Sequence, residues 1–90
     1  MQYPWGGEIR LDALFDAEAA AHLRETRLSA RQTLRHCPDG RVRVTATVRD
    51  TLQLRWWLLG FGEQVEVISP ETLREEFAET AREMHKLYRK

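Results

Sequence analysis

Three observations predict an α+β fold: one antiparallel sheet with helices on one face, extended by a C-terminal helix. Residues 8–15 and 41–49 alternate apolar and polar side chains with a period of two. Pro38-Asp39-Gly40, a strong turn signal, stands directly ahead of the second of these runs. Two segments, 50–61 and 70–88, carry apolar residues at helical spacings of three and four.

The elements follow in order. MQYPWGG, residues 1–7, holds Pro4 and a Gly6-Gly7 pair and reads as a linker, with one domain over 8–90. A methionine directly before linker-like sequence suggests a fragment of a longer protein. In 8–15, Ile9, Leu11, Ala13 and Phe15 share one face, and Glu8, Arg10 and Asp12 share the other, as in a half-buried strand. Asp16 then caps an alanine-rich helix with an acidic first turn. A weaker strand is expected over 28–36. Across the turn, Val42, Val44, Ala46 and Val48 face one way, while Arg41, Arg43, Thr45, Thr47 and Arg49 face the other. The two strands read as a hairpin.

Asp50 is the expected N-cap of the next helix, with Gln53 at the capping-box position and Gly62 as the stop. This helix has two apolar stripes: Leu52, Trp56 and Leu59, and Leu54, Trp57, Leu58 and Phe61. A short helix apolar most of the way round is covered on two sides, and the sheet supplies one cover only. A fourth strand follows at 64–68 with Val65 and Val67 inward. Ser69 as N-cap and Pro70 at the first helical position open a last helix whose stripe is Leu73, Phe77, Ala81, Met84 and Tyr88. The order β-α-β-β-α-β matches the ferredoxin-like, split βαβ arrangement, with one helix added. Its uncovered sheet face would carry Arg10, Arg41, Arg43, Thr45, Thr47 and Arg49.

Composition excludes several classes. Ninety residues make one domain, and a chain of this size buries about 60–65% of its unfolded surface, so a partner would help its modest core. With 42% apolar and 31% charged residues the chain is neither disordered nor fibrous. Cys37 is the sole cysteine, which rules out an internal disulfide and suits a cytoplasmic location. No apolar run nears the roughly 20 residues of a membrane span. Fourteen basic and fourteen acidic residues cancel, which argues against a free-standing DNA-binding domain. The charges are nevertheless segregated. Residues 24–55 hold eight arginines against three acids, and residues 63–83 hold seven acids against two arginines. Such a dipolar chain can pair with its own copy, offer its basic half to an anion, or simply solvate both faces.

No catalytic, metal or cofactor site is expected. His22, His36 and His85 fall in different elements, without a zinc-binding spacing. Adjacent side chains on a strand point to opposite faces, so His36 and Cys37 cannot clasp one ion there. Cys37 lacks a base and an orienting group nearby. Glu75, Glu76, Glu79 and Glu83 read as a solvated face. Gly60 and Gly62 end a helix, whereas a phosphate cradle begins one. Nucleic-acid binding by the arginine-bearing sheet face stands as the alternative function. RVRVTATVR has no aromatic on which a base could stack, so only phosphate contact is available there. Trp57 reads as core. Trp56, about 100° round the helix, can lie at the edge of the core or on a partner.

Four motifs stand in register: Trp57-Leu58-Leu59-Gly60-Phe61-Gly62, Val65-Glu66-Val67, Pro70-Glu71-Thr72-Leu73-Arg74, and Gln32 ahead of the Pro38-Asp39-Gly40 turn. Over residues 8–88 this pattern resembles the C-terminal extension, or WCX domain, of bacterial WYL-domain transcriptional regulators. Where that family often shows His-Pro-Ser before the glutamine, this chain has Ser29-Ala30-Arg31, although Arg27 and Arg31 keep the segment basic. In such regulators a winged helix-turn-helix binds DNA, a WYL domain senses an effector, and the ferredoxin-like WCX module contributes to dimerisation and signal coupling. The resemblance implies a non-enzymatic module that needs no cofactor. Its implied partners are a second copy, upstream WYL and helix-turn-helix domains, a small effector or single-stranded nucleic acid, and DNA through the parent protein. Arg27, Arg31, Gln32, Arg41 and Arg43 are the candidate effector or interdomain contacts. Leu52, Trp56, Met84 and Tyr88 are the candidate interface.

Overall fold

The computed structural model describes residues 7–25 and 27–89. Apart from Gly7, the expected linker lies outside them. Strand β1 (Glu8–Phe15) leads into helix α1 (Ala17–Glu25), then β2 (Gln32–His36), β3 (Val42–Arg49), α2 (Leu52–Leu59), a single 3-10 turn (Gly62–Gln64), β4 (Val65–Ser69) and α3 (Glu71–Tyr88). The strands form one sheet in the order β2-β3-β1-β4, with every neighbouring pair antiparallel. The fold is therefore α+β, with a four-stranded antiparallel sheet and three helices. Its full order is β-α-β-β-α-β-α rather than the bare six-element one.

The alternation in β1 and β3 settles the core. The register sets Ile9 against Val48, Leu11 against Ala46, Ala13 against Val44 and Phe15 against Val42. Paired residues share a face, so one side of the two central strands is wholly apolar. Ala19, Ala20 and Leu23 of α1 and Leu54 and Leu58 of α2 bury against it, with Val67 of β4 and Leu73 of α3. Asp16 caps α1 as expected, its Oδ1 accepting the Ala19 N–H at 2.8 Å. Trp57 is half-buried and packs against the core, beside Phe15 and edge-on to Phe61 at 4.8 Å. In the hairpin, Gly40 takes φ +90°, a conformation open to glycine, and its N–H donates to the Cys37 carbonyl at 3.0 Å.

Four expected boundaries move. Strand β2 begins at Gln32, not 28. The Leu28 N–H donates to Gln32 Oε1 at 2.8 Å and the Arg31 N–H to Ser29 Oγ at 2.9 Å, so these donors serve a turn and not a ladder. Thr51, not Asp50, caps α2: its hydroxyl accepts the Leu54 N–H at 3.1 Å, while the Asp50 carboxylate is taken by Arg55. Helix α2 ends at Leu59 with Gly60 as its C-cap, and Gly62, at φ +59°, opens the 3-10 turn instead. Ser69 is the last residue of β4, paired with Asp12, so Pro70 occupies the N-cap position of α3.

Helix α3 runs against β4 but buries only its beginning. Leu73 is buried and Phe77 half-buried, whereas Ala81, Met84 and Tyr88, expected on the same stripe, are exposed. Length explains this. Eighteen helical residues extend about 27 Å, and a five-residue strand covers only about 17 Å.

Candidate functional site

Two surfaces stand out, one apolar and one cationic. The apolar one starts on α2. Its inward stripe is consumed by the core, while the outward stripe leaves Leu52 39%, Trp56 63% and Leu59 39% exposed. Leu59 also lines a groove of about 490 Å³ with Phe77, Thr80, Ala81 and Met84. The band continues along α3 through Met84, Leu87 and Tyr88, the last two 78% exposed. Polar residues of the distal helix are already satisfied locally: Arg82 pairs with Glu79 at 2.9 Å and Lys86 with Glu83 at 3.0 Å. A partner covering this band need not strip an unpaired charge of water.

A buried arginine holds the two helices in place. Arg55 Nη1 donates to Asp50 Oδ1 at 2.5 Å, and its Nε and Nη2 donate to the two oxygens of Glu76 at 2.6 and 3.2 Å. These bonds, that with Glu76 first, outweigh desolvation and raise the Arg55 pKa above its ordinary value. Arg55 thereby ties α3 to α2 and sets the groove between them.

The cationic surface is the open sheet face. Register places Arg35 opposite Arg43, Thr33 opposite Thr45, and Arg10 opposite Thr47. Arg10, Thr33, Leu34, Arg35, Arg43 and Thr45 line a recess of about 480 Å³. The Thr33 and Thr45 hydroxyls are hydrogen-bonded to each other. Arg43 is gripped by Asp12, whose carboxylate accepts from Nε at 2.9 Å and from Nη2 at 2.5 Å. Those hydrogen bonds hold the Asp12 carboxyl below its ordinary pKa. The Arg10 and Arg35 guanidinium groups make no ion pair within 4 Å among the described residues, although Arg10 lies near enough to Asp12 to help lower its pKa. Glu66, lowered in pKa by hydrogen bonds from Arg41 and Arg74, borders the face on β4. None of the described residues on this face is aromatic, so it can contact phosphates but cannot stack bases.

The five candidate contact residues do not form one site. Gln32 lies on the helix side of β2, opposite Ala46, with its carbonyl oxygen used by Leu28. Arg31 pairs with Glu8 at 3.3 Å, and Arg27 reaches the Ala30 carbonyl beside a separate recess lined by Leu28 and Trp57. Arg41 bridges Asp39 at 2.8 Å and Glu66 at 3.0 Å. Only Arg43 lines the open-face recess. Arg35 was missed because its strand pattern is weak, although its parity with Thr33 about the turn places it on this face. Of the four interface candidates only Met84 lines the groove, opposite Leu59; Leu52 and Trp56 are exposed on the Leu59 stripe of α2, and Tyr88 is exposed one turn beyond Met84 on α3.

The model of the WCX domain family matches residues 7–85. The chain belongs to the WCX domain family. WCX domains are regulatory modules associated with WYL-domain proteins, not a known catalytic family. No curated protein matches this WCX domain at a significant level. Among its described residues no cluster of His, Cys, Asp and Glu is suited to a metal, and no helix is long and apolar enough to cross a membrane.

Proposed function

We propose that this WCX domain is the C-terminal, non-catalytic contact module of a WYL-domain transcriptional regulator, serving dimerisation and effector response in the cytoplasm. Its first six elements are read as a ferredoxin-like unit and α3 as an addition that builds the contact surface. The observation that carries this reading is the exposed stripe Leu52–Trp56–Leu59, which meets Met84 of α3 at the groove through Leu59, with Tyr88 exposed one turn beyond. Large apolar side chains in a contiguous patch mark a protein contact, and tryptophan is enriched where such contacts are strongest. Zero net charge removes the long-range repulsion that would oppose pairing of two copies.

The basic and acidic halves do not by themselves make the dimer. Glu76, Glu79 and Glu83 of α3 are each committed within their own chain, which leaves Glu71 and Glu75 of that helix for the arginines of a partner. The apolar band is the stronger basis for association. The test is solution mass by sedimentation from low to high micromolar concentration, for the chain and for Trp56→Ala. Concentration-dependent dimerisation, weakened at least about tenfold by the substitution with unfolding unchanged, supports the reading. A strict monomer at all concentrations overturns self-association and leaves the contact to other domains of the parent.

A further inference from the structure

The open-face recess has a construction that folding alone does not require. Three arginines on three adjoining strands converge on it, Arg10 from β1, Arg35 from β2 and Arg43 from β3. Arg35 and Arg43 are directly opposed across the ladder, an arrangement that destabilises a sheet unless something neutralises it. Asp12 forms its ion pair with Arg43 and also feels the charge of Arg10, one carboxylate for the three cations. Three guanidinium groups against one carboxylate leave a charge of +2 at the recess, with Arg10 and Arg35 free of ion pairs among the described residues. Thr33 and Thr45, opposite each other between the Arg35–Arg43 row and Arg10, form the floor. Their hydroxyls bond to one another, and the Thr33 hydroxyl also reaches the Thr45 carbonyl at 3.5 Å, so the floor is neutral and polar and the arginines supply the donors.

The geometry points to a binding site for a small phosphomonoester on the open sheet face, held by Arg10, Arg35 and Arg43 over the Thr33–Thr45 floor. A phosphomonoester carries about −1.5 to −2 charge near neutral pH and three acceptor oxygens, which matches the recess in charge and in donors. Guanidinium groups meet such oxygens with two parallel N–H bonds, and Arg43 is already oriented by Asp12. A polynucleotide fits less well. The face lacks a stacking aromatic among its described residues, and the unpaired charge is concentrated at one recess rather than drawn out along a track. The site deepens the effector-response half of the proposed function. It stands apart from the apolar band, so the two can fail separately.

The test is titration of the isotopically labelled chain, followed by backbone amide and arginine Nε–H resonances, with glycerol 3-phosphate as probe and chloride holding ionic strength constant. Saturable shifts centred on Arg10, Thr33, Arg35, Arg43 and Thr45 are expected. Affinity should rise with pH through about 6, as the second phosphate proton leaves. Arg10→Gln and Arg35→Gln should each weaken binding by about tenfold or more, while Arg24→Gln on α1 and Trp56→Ala leave it unchanged. Thermal unfolding of Arg35→Gln should not fall, because the change removes a like-charge pair. Shifts that chloride reproduces, or affinity indifferent to both glutamine variants, would overturn the site. So would tighter binding of an oligothymidylate lacking terminal phosphates, with affinity growing with its length, since that describes a polyanion surface. Loss of phosphate binding with dimerisation intact sinks this site alone.

Discussion

Leu58 and Trp56 stand two residues apart on α2 and meet opposite fates, the first 1% exposed and the second 63%. Both stripes of the helix are apolar, so hydropathy does not separate them. What separates them is the supply of cover. The sheet has one helix-covered face, and Leu54, Trp57, Leu58 and Phe61 fill the place beside Phe15. The described chain covers Leu52, Trp56 and Leu59 only in part, leaving 39%, 63% and 39% of them exposed. Helix α3 repeats the pattern along its length, with Leu73 inside and Tyr88 outside. An apolar residue that a fold leaves uncovered is therefore informative in a way that a buried one is not: the buried one reports on stability, the uncovered one on association.

The sharpest way to break this comparison is to truncate both stripes. Leu58→Ala should cost about 2–5 kcal/mol of unfolding free energy, read by chemical denaturation, because it opens a cavity in a packed core. Arg55→Ala comes next, at about 1–3 kcal/mol, since it strands the carboxylate of Asp50, itself mostly buried, and releases Glu76. It should also detach α3 from α2, and hydrogen exchange of α3 amides will show whether the groove loosens before the sheet does.

Acid supplies a smaller perturbation, one directed at the open face. Asp12 and Glu66 titrate below their ordinary values of 3.8 and 4.5 because arginines bond their ionised forms. A carboxylate with a lowered folded pKa adds stability that is fully present above its unfolded value and disappears as pH falls through the folded one. Thermal unfolding should accordingly hold steady down to about pH 5 and decline below about pH 4, and Asp12→Asn should flatten that decline. The smallest stability effect belongs to Trp56→Ala, within about 0.5 kcal/mol, with the loss confined to association. Were its cost to approach that of Leu58→Ala, the outward stripe would have to be counted as core.

Much of the architecture was legible in the sequence because it rests on local periodicity. The alternation of β1 and β3, the Pro38-Asp39-Gly40 turn and the Asp16 cap each depend on residues within a few positions of one another. The errors fell where two local solutions compete. At 28–31, Ser29 and Gln32 offer side-chain acceptors to the backbone, and a strand pattern cannot show that they win. At 50–51, Asp50 and Thr51 are both good caps, and Arg55 decides between them by engaging the aspartate. The candidate band was legible by the same periodicity. The recess was only half legible, since Arg10 and Arg43 lie on strongly patterned strands while Arg35 does not.

Alone, the sequence determined that one face of β1 and β3 is apolar, that α2 has more apolar surface than one sheet can cover, and that the charges are segregated along the chain. These follow from backbone periods of two and 3.6, which every residue carries with it. Tertiary structure decided the rest: which stripe of α2 lies outward, where α3 leaves the body, and which arginines remain unpaired. Arg41 and Arg43 look alike to Arg10 and Arg35 in sequence, yet the first two are bound to carboxylates and the second two are not. The reason is register. An ion pair across strands needs two residues to share a face and adjoining positions, and only the folded sheet sets those positions.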